Sequence, residues 1–193
     1  MSKTELFKTE INYIKDENNK KDLEYLIENL PDYFFEIPAS STGKYHPEYA
    51  LGEGGLLRHT KVVARFAYEL LSNPSIGNKY TKKEKDLMII ACILHDGFKS
   101  GKVKEKYTRF DHPLICAEYV RDSIDKLSMS KDDVELIASC IETHMGPWTT
   151  DYDGTEVLSP PQTKYQNLVH MCDYLASKKF IKVKFDDKNN IID

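Results

Sequence analysis

The 193-residue chain has no C-x-x-C pair, no internal repeat, no low-complexity tract and no apolar run longer than eight residues, and each absence removes a class of function. Its four cysteines, Cys92, Cys116, Cys140 and Cys172, are widely separated and each falls inside an apolar helical pattern, so they read as reduced core residues. The charge balance has no dominant sign: 27 basic against 31 acidic side chains leave a formal net charge of -4, which argues against a generally basic coat for a long polyanion. The opening residues, with Glu5, Glu10, Asp16 and Glu17, lack an apolar centre, so neither a signal peptide nor a membrane span is expected, and the cytoplasm is the expected location. The length suits one domain with a substantial core.

What the chain does contain is a polar pair in an expensive place. His95-Asp96 ends the run Leu87-Met88-Ile89-Ile90-Ala91-Cys92-Ile93-Leu94, and an imidazole and a carboxylate carried into a core need hydrogen bonds, a charge partner or a metal to offset lost hydration. His59, His112, His144 and Asp173 lie within or beside helix-like apolar patterns, so nitrogen and oxygen ligands suffice for two cations.

Periodicity places these residues on helices. Residues 3–29 favour one or two amphipathic helices, ended by Pro31, and Pro31 to Gly55 reads as a structured connection. Leu56, Leu57, Val63, Phe66, Ala67, Leu70 and Leu71 define a helix whose apolar stripe includes His59. Thr81 to Glu84 has capping-box spacing and opens the apolar helix that ends at His95. Asp111 suits an N-cap with His112 at the helix entrance, and Ser130 starts a helix leading to His144. A last helix from about Pro161 turns Asp173 toward the core. Phe180 to Phe185 alternates as a short strand would, and residues 186–190 read as an exposed tail.

In chain order the candidates are His59, His95-Asp96, His112, His144 and Asp173, and this order resembles the HD-domain superfamily of metal-dependent phosphohydrolases. His95-Asp96-Gly97-Phe98-Lys99 keeps the H-D-x-x-K spacing, and Gly54-Gly55-Leu56-Leu57-Arg58-His59-Thr60 is similar to the G-G-L-L-x-H-T entrance of HD-domain 3′–5′ exoribonucleases. The resemblance implies an all-α HD-domain helical bundle with a short C-terminal strand-like extension. Residues 1–53 would supply N-terminal helices and a substrate-side loop, 54–178 the metal-binding core, and 179–193 a C-terminal tail. It further implies one ion held by His59, His95, Asp96 and Asp173 and a second by His112 and His144, with Asp96 bridging. The donor types suit manganese, iron, zinc, cobalt or nickel.

The implied activity is hydrolysis of a phosphate ester or anhydride in a nucleotide, dinucleotide or short oligonucleotide; the alternative is a non-catalytic metal-containing nucleotide-binding or regulatory protein. Asp96 and Lys99 are the catalytic candidates, with Lys99 also a phosphate contact. Arg109 stands near enough in sequence to reach the same anion, and an exposed arginine before a helix is an equal reading. His46 resembles a histidine preceding the first ligand in the exoribonuclease branch, which would touch substrate or donate to a leaving group; a structural loop histidine is the other reading. Trp148 offers a face to a base or packs in the core, and His170 packs or orients a ligand. There is no G-Y-P segment, which disfavours the cyclic-dinucleotide branch, and no OB-fold upstream, so a small nucleotide or short RNA or DNA fits better than a long strand. Residues 38–55, 99–111 and 146–160 are expected to wall one cleft, made basic by Lys102, Lys104, Lys106 and Arg109.

Overall fold

Residues 2–192 are described by a computed structural model, and Met1 and Asp193, the ends of the expected outer segments, lie outside them. The amphipathic stretch 3–29 is divided into α1 (Lys3–Leu6), α2 (Lys8–Ile11) and α3 (Glu17–Glu28). A distant residue explains the break: the buried Asp86 carboxylate accepts the backbone N–H groups of Lys15 and Asp16 at 3.0 and 2.9 Å, and Asp16 then caps α3 by accepting from Asn18 and Asn19. The connection from Pro31 to Gly55 is structured by two 3-10 turns, Asp32–Phe35 and Glu48–Ala50, and it buries Tyr33, Phe34, Ala39, Tyr49 and Ala50.

The site-bearing helices follow as α4 (Gly55–Ser72), α5 (Pro74–Gly77), α6 (Lys82–Leu94), α7 (His112–Asp122), α8 (Lys131–Glu142) and α9 (Lys164–Ala176). Every residue from Asp86 to Leu94 is buried, so beyond its first turn α6 has no solvent face, and α3, α4, α8 and α9 all pack on it. One apolar cluster runs from Phe7 to Ala176 and joins the N-terminal helices to this bundle. The capping boxes at Thr81–Glu84 and Ser130–Asp133 are formed, and a third, Thr163–Gln166, starts α9 three residues later than the sequence suggests. Asp111 precedes α7 without capping it, because Arg109 takes both of its carboxylate oxygens at 2.8 Å.

Only Lys184–Phe185 of the expected strand is paired, as β1, antiparallel to β2 (Ile191–Ile192). The run 186–190 is the turn between them rather than a free tail. Asn189, in the left-handed region at φ 60°, accepts from Arg58 Nη1 at 2.7 Å, and Asn190 accepts from Lys61 Nζ at 3.0 Å. The hairpin is therefore fastened to α4 beside His59. No helix among the described residues is long and apolar enough to cross a membrane.

Candidate metal centre

The helices deliver six side chains to one buried point. His59 comes from α4, His95 and Asp96 from the end of α6, His112 from the first turn of α7, His144 from just beyond α8, and Asp173 from α9. His59, His95, Asp96, His112 and His144 are at most 1% exposed, whereas the Asp173 side chain is 19% exposed. Leu30 packs close against the backbone just after Asp96 because residue 97 is glycine: a β-carbon there would lie 2.7 Å from Leu30 Cδ2.

Asp96 divides the group. Its Oδ2 lies 3.3 Å from His95 Nε2 and 4.0 Å from His59 Nε2, and its Oδ1 lies 2.9 Å from His112 Nε2 and 3.5 Å from His144 Nε2. Asp173 Oδ1 is 2.9 Å from His59 Nε2 and 3.6 Å from His95 Nε2. Two sets have ligand atoms all within 4.8 Å of one another: His59, His95 and Asp173, and His95, Asp96 and His144. His95 thus borders both sets, a sharing the ligand order does not reveal, while His112 flanks the second, 3.3 Å from His144 Nε2.

The outward ring nitrogens say which inward atoms are lone pairs. Nδ1 of His95, His112 and His144 donates to the carbonyls of Cys92, Arg109 and Ile141 at 2.8, 2.6 and 2.7 Å, so in the neutral rings each Nε2 is an acceptor facing carboxylate oxygens. Acceptors gathered this closely need positive charge among them, which a metal ion supplies or, without one, a proton on His95. His95 Nε2 and Asp96 Oδ1 are buried without a hydrogen-bond partner, as ligand atoms for a shared ion would be. Four imidazoles and two carboxylates fit a borderline divalent transition ion better than magnesium or calcium.

The electrostatics agree. Burial opposes charge on Asp96, but Lys99 and His95 hold its carboxyl well below the usual range, and His59 and His95 do the same for Asp173. Burial also disfavours imidazolium at His95, yet Asp96 and Asp173 outweigh it and raise that ring to about 10. For His59 and His112 burial prevails and both are lowered. The two carboxylates thus draw positive charge toward the middle of the cluster.

Lys99 is buried with Nζ donating to Asp96 Oδ2 at 2.5 Å. His46 packs edge-on against His59 with centroids 4.8 Å apart, and its Nδ1 is buried without a partner. Burial, then His59 and Lys99, lower this ring to about 3, so it is neutral and unsuited to deliver a proton to a leaving group. Arg109 is fastened to Asp111 and Glu105; what reaches the cluster is its carbonyl, on His112. The expected basic wall is largely paired, Lys102 with Glu118 at 2.7 Å and Lys104 with Glu36 at 3.9 Å. Trp148 is not a core residue; it is 52% exposed and stacked on Tyr174. His170 Nδ1 donates to the His144 carbonyl at 2.7 Å, which steadies the ligand's backbone. The three orienting carbonyls have no side-chain signature by which sequence reading finds them, and Tyr174 is one of twelve tyrosines that only the fold singles out, by stacking it on Trp148.

A helical bundle with histidines and aspartates converging from five helices defines a candidate metal-binding centre. The family model for the HD domain matches residues 56–178, more than half of the chain, and the chain belongs to this superfamily of metal-dependent phosphohydrolases, whose members bind divalent metals. No curated protein and no solved structure gives a significant match.

Proposed function

We propose that the chain is a cytoplasmic phosphohydrolase or phosphodiesterase holding two divalent transition ions, manganese, iron, zinc, cobalt or nickel, and cleaving a nucleotide, dinucleotide or short oligonucleotide at a phosphate ester or anhydride. The observation carrying this reading is Asp96, whose two buried oxygens face different histidine sets, Oδ2 toward His95 and His59 and Oδ1 toward His112 and His144. A carboxylate so divided suits a bridge between one ion at His59, His95, Asp96 and Asp173 and another at His112 and His144. Ions held by these residues would supply an activated water and would neutralise the charge developing in an in-line displacement.

The chain's own groups do the rest. Lys99 neutralises Asp96, and its ammonium, buried beside that carboxylate, would be placed to meet an anionic phosphate at the cluster. The unpartnered Nδ1 of neutral His46 supplies a hydrogen bond to substrate. The deep burial of the ligands keeps bulk water from competing for the reacting phosphate.

The test is elemental analysis of protein purified without chelator, followed by assay with manganese on nucleotides, cyclic nucleotides, dinucleoside polyphosphates and short RNAs. About two ions per chain and metal-dependent release of phosphate or nucleotide are expected. Protein indifferent to metal defeats the reading, and tight binding without product favours a regulatory protein instead.

A further inference from the structure

We propose that Trp148, backed by Tyr174, is the stacking face for the base of a nucleotide whose phosphate lies at the metal centre; this rests on the nucleotide reading above. Trp148 is the chain's single tryptophan and half of it is open to solvent. Its ring lies nearly parallel to that of Tyr174, at 16° and 5.9 Å between centroids, and is tilted against His170 at 6.2 Å. Both neighbours lead straight to ligands. Tyr174 follows Asp173 on α9, and His170 holds the His144 carbonyl at 2.7 Å.

Asp173, the neighbour of Tyr174 on α9, is the most exposed member of the cluster, with 19% of its side chain open to solvent, while the other five are at most 1% exposed. Lys178 Nζ stands 3.4 Å over the Tyr174 ring, so Tyr174 is engaged and the face available to a ligand belongs to Trp148. A fixed, half-exposed indole beside a phosphate-binding centre is matched by a group that is flat, aromatic and tethered to a phosphate, which is a nucleobase.

The experiment uses the whole manganese-loaded chain and two probes, AMP and ribose 5-phosphate, which share the phosphate and differ in the base. Trp148 fluorescence should be quenched by AMP and not by ribose 5-phosphate. By calorimetry, Trp148→Ala should weaken AMP about tenfold, Trp148→Phe should keep most of the affinity, and all three proteins should bind ribose 5-phosphate alike. Equal AMP binding by wild type and Trp148→Ala, or equal quenching by both probes, overturns the stacking face and leaves the nucleotide reading standing. If wild type binds neither probe, the nucleotide reading falls and the stacking face with it.

Discussion

His95, His112 and His144 are aimed by the same local device, each donating Nδ1–H to the carbonyl three residues earlier in the chain. The device fixes the tautomer as well as the direction, because a carbonyl can only accept and the proton must therefore sit on Nδ1. Asp96 has no substitute within this arrangement. Asp96→Ala is expected to deplete both ions and abolish turnover, whereas His112→Ala and His144→Ala are expected to lose one ion and retain the other; variants holding two ions at full activity would refute the second site. Lys99→Ala should lower kcat by about 10²–10³-fold with metal content unchanged, which separates an anion-stabilising lysine from one that only balances Asp96. The six cluster residues were legible because their chemistry is carried by side chains in an informative order. The backbone acceptors were not, although a histidine at a helix end, with a carbonyl three residues behind it, is a local pattern a reader can look for. Arg109 shows the converse: its guanidinium drew attention, and its carbonyl is the part that meets the cluster.

The connection after α8 is tied to α9 at one tight point. Gly146 has φ +68°, and a β-carbon there would lie 2.1 Å from the His170 ring that holds the His144 carbonyl. Gly146→Ala therefore combines left-handed strain with displacement of His170, and a loss of about 1–3 kcal/mol in urea unfolding is expected, together with weaker binding of the second ion. An unchanged unfolding midpoint and metal content would show that the loop yields freely. Helix starts announced by Thr81 and Ser130 were readable because their capping partners lie three residues away. The break between α2 and α3 was not, since Asp86, seventy residues on, supplies the acceptors that stabilise it. The end of the chain misled for a related reason: Asn189 and Asn190 resemble solvent-facing turn residues until Arg58 and Lys61 on α4 claim their side chains.

Across the whole molecule, the N-terminal helices and the terminal hairpin converge on α4 through a buried ion pair. Glu10 and Lys61 are 1% and 0% exposed with Oε2 and Nζ 3.8 Å apart, and burial raises the one pKa and lowers the other. Glu10→Ala should cost about 3–5 kcal/mol by leaving the buried Lys61 ammonium without its carboxylate, with only the Asn190 amide still accepting from it, while the double change Glu10→Met with Lys61→Met should come close to wild type or exceed it, as read from urea midpoints. An ion held at the histidine–aspartate cluster would add a second tie, between α4, α6, α7, α8 and α9. An ion that binds only the folded state at about a hundred times its Kd contributes about 2.7 kcal/mol, and for a chain of this length each kcal/mol moves Tm by about 2–4 °C. Chelation should thus lower Tm by about 5–10 °C, with manganese restoring it. The apolar cluster from Phe7 to Ala176 does not depend on the ions, and the carboxylates keep Lys99 and His95 as counter-charges, so the stripped protein should stay helical and melt in a single transition. A Tm that ignores both chelator and manganese would mean that these buried ligands hold no ion coupled to folding.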